Sequence, residues 1–148
     1  MKKYILFLLI TVLFFSCDVH RKDKIADDAI NNLKLQELAL KDTTTVQIID
    51  SAYNFGKVTD GDKVEYSYHF KNTGTKPLVI ASTTASCGCT VPQKPDKPIL
   101  PGETGFIKVV FDSKGRVGTA HKTITVISNA HPVFPELLLT GEIVGKNN

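Results

Sequence analysis

The chain of 148 residues has no tryptophan, a single methionine at its first position, and three cysteines. The missing tryptophan excludes the Cys…Trp…Cys pattern of antibody domains, so any core must rest on phenylalanine, tyrosine and aliphatic residues. An excess of one charge sign is missing too. The formal net charge is +3, and two of the cations are Lys2 and Lys3. Residues 18–44 carry five basic and six acidic side chains, and residues 45–148 carry eleven and nine. Neither stretch is the basic patch that nucleic acid demands, which excludes nucleic acid as a partner. No apolar run approaches the roughly 20 residues of a membrane-spanning helix.

Patterns of catalysis are equally sparse. His69, His121 and His131 have no ligand spacing to one another, so no four-ligand zinc site is visible. Ser86 has neither a Gly-x-Ser-x-Gly elbow nor a base placed beside it in the sequence. Nothing reads as an enzyme, and no cofactor or metal is expected.

What is present begins at the N terminus. Lys2 and Lys3 precede an apolar run over residues 4–15, broken only by Thr11, and the small Ser16 closes it. This reads as a secretory signal over residues 1–16. Cys17 follows Leu13-Phe14-Phe15-Ser16, which resembles a bacterial lipobox, where the signal is cut before a cysteine that carries lipid. The alternative is a plain secretory signal that leaves Cys17 as a free thiol, poorly suited to an oxidising compartment. On the lipobox reading, two or more acyl chains on Cys17 anchor the protein to a membrane that it does not cross. Its place is then the bacterial cell envelope, on the periplasmic or surface side. Residues 17–44 make the tether. Ile25, Ala29 and Leu33, with Ile30 beside them, recur at helical spacing, and Asp27, Asp28 and Lys41 suit the helix dipole. The pattern predicts a short helix or solvated spacer.

From residue 45 to 148 the period switches to two. Val64, Tyr66, Tyr68 and Phe70 alternate with polar neighbours, as do Ile107, Val109 and Phe111, then Ile124 and Val126. Leu137, Leu139 and Ile143 complete the set, with Gly141 in phase. Such alternation marks sheets with one buried and one wet face. Asp60-Gly61 suits a tight hairpin, and Asn72-Thr73-Gly74, Pro101-Gly102, Gly115 and Gly118 punctuate the rest. About seven strands at this spacing predict an all-β, immunoglobulin-like antiparallel β-sandwich. Pro92, Pro95, Pro98 and Pro101 fall at every third residue, the polyproline II period, and predict an edge or a stiff connector between the two sheets.

Ser86-Cys87-Gly88-Cys89-Thr90 is where chemistry could live. Cys87 and Cys89 share one side of an extended strand, and three fates are open: a disulfide, a Cu(I) chelate or reduced structural thiols. A disulfide closing so small a loop constrains the unfolded chain by only about 1.5 kcal/mol, half the value for a 15-residue loop. As a staple the pair is weak, leaving local pinning of a loop or a labile redox couple.

Phe55-Gly56-Lys57-Val58, Asn72-Thr73-Gly74 with Pro77-Leu78, Ala85-Ser86-Cys87-Gly88-Cys89-Thr90, Pro98-Ile99 with Pro101-Gly102, and Ser128-Asn129-Ala130 occur in that order. The set resembles a bacterial family of unknown function, DUF1573, across about residues 46–143. The resemblance implies an immunoglobulin-like sandwich related to major-sperm-protein and Hydin-type modules, and it supplies no catalytic residues. The expected function is a lipid-anchored, non-enzymatic module that binds an unknown protein or glycan partner or supports the envelope. Its rival is a thiol redox or Cu(I)-handling protein using Cys87 and Cys89.

Overall fold

A computed structural model describes residues 30, 34 and 41–146. The signal, Cys17 and most of the tether lie outside the described residues; Ile30 and Lys34 are helical and exposed. The chain divides into two compact units, Met1–Leu35 and Gln36–Asn148.

The second unit holds eight strands: β1 (Val46–Ile48), β2 (Ala52–Thr59), β3 (Lys63–Asn72), β4 (Ile80–Ala85), β5 (Thr90–Gln93), β6 (Thr104–Asp112), β7 (Gly118–Ser128) and β8 (Leu137–Val144). They form two four-stranded sheets, β1-β3-β6-β5 and β2-β8-β7-β4. The alternation places the inner faces as the sequence predicts. Phe70, Phe111, Ile124, Leu139 and Ile143 are each at most 2 % exposed, and Tyr68, Ile107 and Leu137 join them. Gly141 is in phase for a steric reason. A Cβ there would lie 2.2 Å from the Phe55 ring, so the missing side chain admits that ring to the inner face. Phe55 in turn packs 5.8 Å, centroid to centroid, from Phe111.

Three expectations need correction. The sandwich is not wholly antiparallel, because β2 runs parallel to β8. The chain leaves β1, antiparallel to β3 in one sheet, and passes through residues 49–51 into β2, parallel to β8 in the other. Alternation reports which face is buried, and says nothing of a distant partner's direction. Secondly, Asp60-Gly61 makes a tight turn, with Asp62 N–H donating to the Thr59 carbonyl and Gly61 at φ +95°, but no hairpin. β2 and β3 belong to different sheets. Thirdly, the proline segment does not connect the sheets, since β5 and β6 are neighbours in one sheet. It loops out and is tied down where Leu78 and Ile99 exchange backbone bonds of 2.9 Å.

The expected edge is there. β5 is an outer strand, paired to β6 alone. The Asp112 N–H donates to the Cys89 carbonyl, so Cys89, Val91 and Gln93 face β6 with their backbone groups. Pro92, between them, turns its nitrogen outward, where no donor is required.

Two buried asparagines hold the opposite end. Asn72 is fully buried, donates to the carbonyls of Lys76 (2.8 Å) and Ile99 (2.9 Å), and accepts from the Thr44 hydroxyl and the Gly74 N–H. Asn129 accepts from Val79 N–H (2.8 Å) and donates to the carbonyls of Asp42 (2.7 Å) and Pro77 (3.0 Å). Thr44, 5 % exposed, is thereby part of the packed unit. Among the described residues no buried side-chain nitrogen or oxygen lacks a partner.

Truncating Phe70, Phe111, Ile124 or Leu139 to alanine is expected to cost about 2–5 kcal/mol in urea denaturation. Changing Thr125 or Lys108 on the outer faces should stay within about 0.5 kcal/mol, the Lys108–Glu65 ion pair being solvent-screened. Equal losses in the two groups would show the inner and outer faces to be misassigned. Asn129→Ala orphans three backbone groups at once and should cost about 3 kcal/mol or more by the same measurement.

Candidate functional site

The Ser86-Cys87-Gly88-Cys89 turn carries the chain from β4, at the edge of one sheet, to β5, at the edge of the other. Cys87 and Cys89 are joined in a disulfide, with their Cα atoms 5.3 Å apart. Of the three fates open at the sequence level, the described state is the first. Cys89 is buried and packs in the core cluster, with half-buried Cys87 against it. The flanking residues of the motif have structural work of their own. Ser86 N–H donates to the Thr123 carbonyl, and its hydroxyl accepts from the Thr123 N–H. Thr90, 3 % exposed, donates its N–H to the Cys87 carbonyl, and its hydroxyl lies 3.5 Å from Cys87 Sγ. With both sulfurs bonded to each other, neither offers a thiolate to copper.

A cleft of about 450 Å³ opens beside this turn. Gly88 and Cys89 form one wall, Val91 and Val110 the floor, and Lys63, Asp112, Lys114 and Arg116 the rim. A second cleft, of about 390 Å³, lies between Pro95 and Ile99 of the proline segment and the exposed Phe106 of β6. Here β5 has already ended at Gln93, so the continuing β6 has no neighbour on that side.

The histidines do not meet. His121 lies exposed on β7 and His131 exposed beyond its end. His69 is drawn instead to Asp50, whose carboxylate accepts from the His69 backbone N–H and lies 3.7 Å from Nδ1. The same carboxylate accepts from the Tyr66 hydroxyl at 2.5 Å. Tyr66 stacks on Tyr53 with centroids 3.8 Å apart, and Tyr68 meets Tyr66 edge-on at 4.9 Å. This cluster at the β1–β2 crossing escaped the sequence reading, because Asp50 and Tyr53 belong to no alternating run that pairs them with β3. The hydrogen bond to Asp50 raises the Tyr66 pKa, and burial raises that of Tyr68 further.

Both tyrosines are held protonated in the folded state, so their contribution is complete below the ordinary tyrosine pKa of about 10 and is lost as pH rises through the higher folded values. Absorbance titration of phenolate should find Tyr66 and Tyr68 ionising late, and Asp50→Asn should move Tyr66 back towards the ordinary range. Ionisation of Tyr66 and Tyr68 in the ordinary range would contradict the cluster.

Solved structures place this architecture among known sandwiches. A protein of unknown function from Porphyromonas gingivalis W83 superimposes with a TM-score of 0.57 at 17 % identity, over 68 % of this chain and 47 % of that one. The chain therefore spans about half the length of that protein. The ASH/PapD-like domain 7 of human CEP192 matches at 0.55 and 13 % identity, over 71 % and 89 %. The YadV chaperone matches at 0.50 and 17 %, over 70 % and 54 %. At such identities the likeness is one of fold: an immunoglobulin-like, PapD-like sandwich. No curated protein matches the chain. The model of the family described as protein of unknown function, DUF1573, matches residues 46–143, which is most of the chain and all but the ends of the sandwich, and to that family the chain belongs.

Proposed function

We propose that the protein is a lipid-anchored, non-enzymatic binding module of the bacterial cell envelope, held to the membrane through Cys17 and presenting its sandwich to a protein or glycan partner. The observation that carries the reading is the Cys87–Cys89 disulfide. Such bonds persist in oxidising, extracytoplasmic compartments and are rare in the cytosol. A basic start, a short apolar run and Ser16-Cys17 supply the matching export and anchoring signal. The polar side chains support a non-enzymatic role by what they bond. Ser86, Thr90, Asn72, Asn129 and Asp50 all spend their hydrogen bonds on the protein's own backbone or on neighbouring side chains. Nothing supports the thiol redox or Cu(I) reading.

Cys17→Ser should release the protein from the membrane fraction or leave the precursor uncut, while the wild-type chain pellets with membranes and shows the mass of a lipid adduct. A variant that fractionates as the wild type does would sink the anchored reading.

A further inference from the structure

The cleft beside the disulfide turn combines unneutralised cations with an apolar floor between two braced walls. Elsewhere on the domain Lys57, Lys76 and Lys108 each hold a carboxylate, at 2.9, 3.3 and 2.6 Å, while Lys71, Lys97 and Lys122, like the cations of the cleft, hold none among the described residues. Lys63, Lys114 and Arg116 hold none among the described residues, and all three line the same cleft. Asp112 faces Lys63 across β3 and β6, yet its carboxylate is turned back to accept from the Lys114 backbone N–H at 3.0 Å. The cations come from different elements, the start of β3 and the loop after β6, and meet only through the fold.

That loop is fixed. Ser113 is fully buried, its hydroxyl lies 3.1 Å from the Thr59 carbonyl and 2.8 Å from that of Asp62, and it accepts from the Gly61 N–H. Gly115 N–H donates to the Asp60 carboxylate, and Arg116 N–H to the Ser113 carbonyl. The opposite wall is closed by the disulfide. These bonds fix the backbone from which Lys114 and Arg116 project; the charged side chains themselves are exposed. On the floor, Val110 is half-buried and Val91 is 54 % exposed.

From this geometry we infer that the cleft binds an acidic segment of a partner protein, a carboxylate side chain flanked by apolar residues. In an extended segment alternate side chains share one face, so an apolar residue rests on Val91 and Val110 while an acidic residue two positions away reaches the rim. Arg116 offers the planar fork that suits a carboxylate, and the two lysines add charge. Backbone pairing with β5 is not part of the recognition, because Pro92 has no N–H to offer and the Thr90 N–H is spent on Cys87. The inference deepens the proposed binding role and rests on it.

The test uses the full-length chain in detergent and a labelled peptide repeating glutamate-glycine-valine-glycine, which sets acidic and apolar side chains on one face, with the glutamine analogue as its neutral twin. Fluorescence anisotropy should show saturable binding of the acidic peptide and binding of the twin at least tenfold weaker. The triple variant Lys63→Gln, Lys114→Gln, Arg116→Gln should lose at least tenfold in affinity. The equally charged Lys57→Gln, Lys71→Gln, Lys97→Gln should stay within twofold, both triples keeping the wild-type far-ultraviolet dichroism and melting temperature. Equal binding of both peptides, equal loss in both triple variants, or displacement of the peptide by millimolar inorganic phosphate would each overturn the inference, the last in favour of a phosphate site. Membrane fractionation of the Cys17→Ser variant is read separately, so failure of the cleft and failure of the anchor are told apart.

Discussion

Hydrogen bonding of the chain where it changes sheets is the constraint on which the rest of this structure depends. Among the described strands, five of the seven connections pass from one sheet to the other: β1–β2, β2–β3, β3–β4, β4–β5 and β6–β7. At a crossing the backbone leaves its ladder within the thickness of the core, and its N–H and C=O groups must find other partners there. Asp50 serves the first crossing, Ser113 serves the second and the fifth together, and Asn72 with Asn129 serves the third. The disulfide, Ser86 and Thr90 serve the fourth. The apolar faces drive the sheets together, and these polar groups decide how the strands are threaded between them.

This division of labour explains why the conspicuous motif of the sequence contains structure rather than chemistry. The loop closed by Cys87 and Cys89 is too short to constrain the unfolded chain much. Its value is local. The bond holds a crossing that lies at the edges of both sheets, where no second strand supports β4 or β5 from outside. The same bracing also gives the domain its most distinctive surface. The cleft rimmed by Lys63, Lys114 and Arg116 is bounded by two crossings, the disulfide turn and the Ser113 loop, so a device that solves a backbone problem also positions charge.

The tyrosine cluster belongs to the same pattern. Tyr66 and Tyr68 stand on the inward side of β3 near the sheet margin, where β2 leaves Tyr53 to cover them. Each hydroxyl finds a partner, Asp50 for one and the Leu138 carbonyl at 2.6 Å for the other. Large rings can thus close the side of the sandwich without an unsatisfied polar atom.

Much of this architecture is legible in the sequence. Period-two alternation identifies β3, β6, β7 and β8 and assigns Phe70, Phe111, Ile124 and Leu139 to the core, because side-chain direction in a strand follows from local geometry alone. Glycine and proline mark where strands stop, and the spacing of Pro92 identifies an edge. What only the tertiary structure decided is pairing. That β2 runs parallel to β8, that Asp60-Gly61 turns between sheets, that the proline segment returns to its own sheet, and that Lys63 and Arg116 line one cleft all depend on contacts between residues far apart in the chain. Such contacts are chosen by the packing of the whole core and by the hydrogen bonds at its crossings, and no local pattern encodes them.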